Sequence, residues 1–454
     1  MLQTQNSLSV EQLESKIRRL FEVSAQKIDS LNKTWNASDG APVFTVDGRY
    51  TSRGWTEWTQ GFQFGAEILQ FDGTGEEAYL TAGCQHTVAF MAPHVSHVGV
   101  HDHGFNNIST YGNLLRLMNE GKLEENGWER SFYELAIKLS GAIQAARWST
   151  IAGGGGYVYS FNGPHSLFVD TIRSMRALAL SYKLGHALMG ENDVRVSLLG
   201  RMIEHARATA QYAIYYGEGR DFYDVRGRTA HESIFNVNDG RYRCPNSQQG
   251  FSPFSTWTRG LAWAMCGFAE QLEFLATVPD HDLEPLGGRA SVEVFMRKAA
   301  EATCDFYLEH TPTDGIPYWD TGAPELHRLG DWAGRPADPF NSYEPVDSSA
   351  AAIGAQGLLR MGRYLKDDRY WKAGLTVCNT LFDNPYLSTD PEHQGLLLHA
   401  VYHRPKGWDA APGNGRVPRG EACMWGDYHL REVALYLLRI IGKEPYLTFW
   451  GGRQ

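Results

Sequence analysis

Apolar residues recur at helical spacing almost from the start of the chain. Leu13, Ile17, Leu20, Phe21, Ile28 and Leu31 share one face, and Ser9 with Gln12 forms a capping box ahead of them. The same criterion predicts twelve long helices, over residues 9–31, 56–70, 75–92, 104–121, 128–147, 165–189, 196–216, 255–277, 289–310, 346–365, 367–383 and 421–441. Strand signals are few. Residues 222–243 read as a short hairpin, and 153–161 as a strand or a wide loop. Residues 311–345 have no periodicity, and loops of that length inside a compact domain are usually functional. No linker or charge run divides the chain, so residues 1–454 read as a single domain.

Twelve helices suggest six helical hairpins closed into a double ring, an all-α (α/α)6 barrel with minor β structure in its loops. The unusual residues support that ring. Counted in order, the even helices open on TSRGWTEWTQGF, VHDHGFNN, GPHSLFVDTIRSM, GFSPFSTWTRGLAW, YEPVDSSAAA and PRGEACMWGDY. Each holds Trp, His or an acid where a cap alone would serve. In a ring of antiparallel hairpins, alternate helices point the same way, so these six N-termini would meet at one mouth. Helix N-termini carry partial positive charge, which favours an anionic ligand.

Composition adds a little. With 43 % hydrophobic and 21 % charged residues the chain is globular, and a net charge of −10 lacks the basic footprint of a nucleic-acid binder. No apolar run is long enough for a membrane span, and the N-terminus lacks a signal-peptide pattern. Six dispersed cysteines without a CxxC pair read as free thiols, and the expected compartment is the cytoplasm. Aromatics reach 12 %, compatible with core filling or with a sugar site. A homo-oligomer stays open.

The candidate chemistry gathers at the helix starts. Asp170 follows an apolar run, where an acid needs a partner or a task. Asp102 and Asp347 could be helix caps or site acids, and Glu344 and Glu421 are spare acids at the same mouth. Two carboxylates at one mouth suit glycosidic chemistry, one protonating and the other stabilising or activating. His94, His97, His101 and His103 beside Asp102 invite a metal reading, but no second cluster completes a known spacing, so neither metal nor cofactor is expected. Gly153 to Gly156 lacks the rest of a phosphate loop and reads as a connector. Arg259 between Trp257 and Trp263 suits carboxylate recognition beside stacking rings, or a helix Arg lying over core aromatics.

Taken in order, several segments resemble glycoside hydrolase family 88, the unsaturated glucuronyl hydrolases, and more distantly the unsaturated rhamnogalacturonyl hydrolases. They are Trp58-Thr59-x-Gly61-Phe62, His101-Asp102-x-Gly104-Phe105, Leu167-Phe168-Val169-Asp170, the block from Gln249 to Trp263, Pro317-Tyr318-Trp319-Asp320 and Asp347-Ser348-Ser349-Ala350-Ala351. The resemblance runs from about residue 55 to 440 and implies the same (α/α)6 barrel. It implies substrates left by polysaccharide lyases, ending in a uronic acid with a C4–C5 double bond, which is hydrated so that the product collapses and releases the next sugar. By motif match, Asp170 would be the general acid/base and Asp102 would hold substrate hydroxyls. Gln249 and Arg259 would meet the uronate, Trp58 and Trp263 would form walls, and His101, His231 and Ser349 would add polar contacts. Departures are Leu261 within Gly260-Leu261-Ala262-Trp263, His103, Arg173 and the glycine-rich 153–163 segment. They leave open a saturated uronosidase on the same fold. An epimerase or isomerase using His399, His403 and His429 is a further reading, and a non-catalytic sugar-binding protein would leave Asp170 unexplained.

Overall fold

The computed structural model describes residues 1–451 except 55–56, 414 and 446–447. Trp55 and Thr56, at the opening of the second predicted helix, lie outside the described residues, as do the last three positions of the single domain expected over 1–454. Twelve helical segments carry the fold: α1 (Glu14–Thr34), α2 (Gln60–Thr74), α3 (Glu77–Phe90), α4 (His103–Asn107, a π-helical turn Ile108–Gly112, then Asn113–Asn119), α5 (Gly127–Ala146), α6 (Thr171–Ser174 and Arg176–Lys183), α7 (Leu198–Tyr212), α8 (Thr258–Leu275), α9 (Arg289–His310), α10 (Ser348–Leu365), α11 (Asp368–Leu381) and α12 (Met424–Ile441). The even helices touch in sequence, α2 to α4 to α6 to α8 to α10 to α12, and α12 closes on α2. Each odd helix packs outside: α1 on α12 and α2, α3 on α2, α5 and α7 on α6, α9 on α8, α11 on α10. This is the double ring expected from the sequence.

Sequence explains which helices lie inside. Every residue of α8 is buried, as are nearly all of α10 and α12. A helix that is apolar or small on all sides needs neighbours all round, whereas α1 buries only one face. Close crossings between inner helices use glycine. A Cβ on Gly104 would lie 2.2 Å from the carbonyl oxygen of Ser174, and one on Gly61 2.3 Å from that of Asn106.

The sixth predicted helix needs correction. Residues 166–168 are a strand, and the helix begins only after Asp170. The strands are β1 (Pro42–Val46), β2 (Arg49–Ser52), β3 (Trp148–Thr150), β4 (Gly156–Val158), β5 (Ser166–Phe168), β6 (Leu188–Met189), β7 (Arg195–Val196), β8 (Glu232–Phe235) and β9 (Tyr242–Asn246). Antiparallel pairing orders one sheet β5-β8-β9, with Phe168 opposite Glu232. A short buried apolar run fits strand or helix equally well, and only the partner strand β8 decides. The 311–345 stretch is loop with one 3-10 turn. Its Trp319 carbonyl accepts the Thr258 N–H at 3.1 Å, and Asp320 accepts the Phe251 N–H at 2.9 Å. It therefore braces the start of α8 from behind.

Overpacking at the α4–α6 crossing sets a prediction. Gly104→Ala should lower unfolding free energy by about 2 kcal/mol, because backbone rather than a yielding side chain occupies the space. Urea denaturation of the two proteins side by side measures it.

Candidate active site

A cavity of about 460 Å³ opens at the N-terminal ends of the inner helices. That volume is within the range of small-ligand sites. Its aromatic lining comes from several helices at once. Trp58, just before α2, packs 6.0 Å from Phe105 of α4, which lies 4.8 Å from Trp263 of α8. Trp425 of α12 stacks behind Trp58 at 4.9 Å. These rings hold the helix ends apart and give the cavity a flat apolar wall, of the kind a sugar face packs against.

Asp102 and Asp170 stand at the N-caps of α4 and α6, yet neither side chain caps its helix. Both instead turn toward one ring. His101 Nε2 lies 3.6 Å from an oxygen of Asp102 and 3.6 Å from an oxygen of Asp170. All three side chains are buried and line the cavity. Burial opposes charge on His101, but the two carboxylates outweigh it and hold the imidazole above its usual pKa. Burial and the Asp170 charge push Asp102 up, partly offset by His101. Burial also opposes charge on Asp170, yet His101, His231 and Arg259 prevail and keep it below the usual carboxylate range. Identical side chains are thereby separated, Asp170 toward the ionised form and Asp102 toward the neutral one.

Behind this group lies His231, packed between two lining rings, Phe168 at 4.5 Å and Trp257 at 4.7 Å. Its Nδ1 accepts the backbone N–H groups of Gln248 and Gln249 at 3.0 and 3.3 Å. The ring hydrogen therefore sits on Nε2, buried and without a hydrogen-bond partner among the described residues. Gln249 Oε1 accepts from Arg259 at 2.9 Å, which leaves the Gln249 amide N–H groups for the cavity. Arg259 also lines it, but its fork is engaged. One terminal nitrogen donates to Asp347 at 2.8 Å and to the Val401 carbonyl, and the other to Gln249 and to the Tyr402 carbonyl at 2.7 Å. Trp257 and Trp425 lie 4.6 and 4.9 Å from the guanidinium. Arg259 thus ties α8 to α10 and to the 401–402 segment, rather than offering a free bidentate fork.

Several expected residues stand elsewhere. Ser349 is fully buried and does not line the cavity, because its hydroxyl donates to Asp347 and accepts from Trp425 Nε1 at 3.1 Å. Asp347 is a helix cap, accepting the Ser349 and Ala350 N–H groups. Glu344 is held by Trp319 and the Glu325 N–H, and Glu421 by Thr45, so neither reaches the site. Arg173 points into the barrel axis, paired with Glu270 at 2.8 Å and Glu432 at 2.9 Å. Of the histidines suited to an epimerase, His403 lines the cavity, His429 lies under Trp263, and His399 packs on Phe340 and Tyr386. The His94–His103 segment does not converge: the described residues contain no group arranged to hold a metal ion.

The cavity also recruits residues that periodicity could not single out. Phe161, in the glycine-rich segment, stacks over His101 at 6.1 Å. Tyr402, Lys406 and Trp408 come from one loop before α12, with Lys406 Nζ 4.8 Å from the Trp408 ring. A local cluster of ring and charge residues was the one signal that could have marked this loop.

No family model matches the chain. It is 25 % identical over 379 residues to an unsaturated glucuronyl hydrolase of Formosa agariphila, spanning 83 % of this chain and 79 % of the relative. It is likewise 25 % identical over 424 residues to an unsaturated glucuronyl hydrolase of Bacillus sp. strain GL1, spanning 89 % and 90 %. The solved structure of an unsaturated glucuronyl hydrolase specific for heparin superposes with a TM-score of 0.71 at 19 % identity, over 95 % of this chain and 98 % of that one. In sequence over most of its length, and in fold over nearly all of it, the chain is similar to unsaturated glucuronyl hydrolases, in line with the resemblance read from its motifs.

Proposed function

We propose that the protein releases a terminal 4,5-unsaturated uronic acid from lyase-generated oligosaccharides by hydrating the C4–C5 double bond. The observation that carries this reading is the convergence of Asp102 and Asp170 on one imidazole at the cavity wall. Hydration needs a proton at C4 and hydroxide at C5, and a group sharing one proton among three side chains can give one and take one back. The proton for C4 belongs to the Asp102–His101–Asp170 group, and Asp170 in its ionised form takes the proton of the water that adds at C5. The hemiketal so formed opens, releasing the neighbouring sugar and a keto-uronate. Asp102 holds substrate hydroxyls, Trp58 and Trp263 face the sugar, and the Gln249 amide donates to the uronate. His231 stands behind Asp170, its ring oriented by the Gln248 and Gln249 N–H groups.

The relatives named above support the substrate class, and convergence on one ring suits a shared proton better than carboxylates acting from opposite faces of a glycosidic bond. Among the described residues no helix is long and apolar enough to cross a membrane. All six cysteines are free, which suits a reducing compartment such as the cytoplasm.

Asp170→Asn should lower kcat by a factor of about a hundred or more while leaving substrate affinity nearly unchanged. Loss of ultraviolet absorbance from an unsaturated disaccharide measures turnover, with saturated uronides as controls. Release of glucuronate from the saturated controls would replace hydration by direct hydrolysis. A second expectation concerns pH. His101 helps hold the Asp170 pKa down, so His101→Asn should let it rise. The ionised form would then be lost at a higher pH, moving the acid limb of the kcat/KM profile upward in pH.

A further inference from the structure

Among the described residues the histidine-rich segment before α4 forms no group arranged to hold a metal ion, yet it is held with unusual thoroughness. It runs as loop from Ser96 to Asp102, after a helical turn at Ala92–Val95. Buried side chains fasten its carbonyls one after another. Asn107 donates to the His94 carbonyl at 3.1 Å, His103 Nε2 to that of His97 at 3.0 Å, and Arg147 to that of Val98. Gln144 and Ser174 both donate to the His101 carbonyl, at 2.7 and 2.8 Å. Burying polar side chains is costly unless each is bonded, and here they bond to a single loop. Both ring nitrogens of His103 are thus engaged, the second pairing with Ser140 at 3.0 Å, and burial pushes its pKa down to about 4, which keeps the ring neutral.

The fastened loop presents His97 to the cavity. Its ring folds over Gly99, where a Cβ would lie 3.0 Å from Nε2, so a side chain at 99 would displace it. His97 and Asp102 line the same cavity, and the His97 ring makes no hydrogen bond among the described residues. Of the two histidines that share this lining with Asp102, His101 stands against both carboxylates and His97 is left for a ligand.

We infer that His97 contacts the substrate beside Asp102, and that His103 is the positioning residue that aims it. The inference rests on the uronide-hydrolase reading above and deepens it. A sugar hydroxyl donates to the Asp102 carboxylate while its oxygen accepts the N–H of His97, so that the pair reads one hydroxyl from two sides. His103, one of the departures from the family pattern, matters through the bond from its ring to the His97 carbonyl.

A double-mutant cycle tests this, with kcat/KM measured on an unsaturated disaccharide and on its saturated counterpart. His97→Ala should reduce kcat/KM roughly ten- to a hundredfold, the loss of one or two hydrogen bonds. His103→Leu should cause a similar fall, His103→Gln should restore most of it by donating to the same carbonyl, and the double variant should fall no more than about threefold below His97→Ala. Multiplying effects, or a His97→Ala enzyme within about threefold of the original, would overturn the inference. Should His103→Leu fail to fold, His97→Ala decides alone. Activity of the unaltered protein on the saturated disaccharide alone would overturn the substrate reading instead, and the cycle is then read on that sugar.

Discussion

The inner helices α4 and α6 cross so closely that a side chain at Gly104 would collide with the backbone at Ser174. Much of the site follows from that contact. Ser174 Oγ accepts the Gly104 N–H at 2.9 Å and donates to the His101 carbonyl, while Arg176 donates to the Gly104 carbonyl at 2.9 Å. The two helix starts are thereby bolted in register, and Asp102 and Asp170, one from each, come within reach of the same imidazole. Were the helices a methyl group farther apart, the carboxylates would no longer share it.

Electrostatics at the site depend on this sharing. Two buried carboxylates with no cation would each tend to neutrality, but burial and the Asp170 charge push Asp102 up while His101 helps hold Asp170 down. Below the site, Arg173, Arg176 and Arg360 face Glu270, Glu273 and Glu432 along the barrel axis. That cluster fills the interior of the ring with paired charge. Arg259 belongs to the same logic. It is buried beside two indoles and bonded to Asp347 and two carbonyls, which makes it a fastening between helix and loop.

Function was legible where residue type and helix position coincide. Asp102, Asp170 and Trp58 could be picked out because each stands at or just before the start of an inner helix, and the motif order added Trp263, in the second turn of α8, and Gln249, in the loop ahead of it. Ser349 and Asp347 misled for the same reason, since a helix start looks alike whether its polar groups face a ligand or cap the backbone. The fragment of β structure at Ser166–Phe168 was hidden because its partner β8 lies more than sixty residues later.

Periodicity by itself gave the twelve helices and so suggested the ring, in which the inner helices are buried nearly all round and much of their charge is paired inside it. It also determined which ends face the mouth, since antiparallel hairpins alternate direction. Only the tertiary structure decided how the acids are used. Capping, pairing and ligand contact differ by the direction in which a short side chain points, and that depends on helices distant in sequence. The loops that complete the cavity, with Phe161, His97 and Tyr402 to Trp408, were likewise beyond periodicity, because loops have none and are shaped by what they pack against.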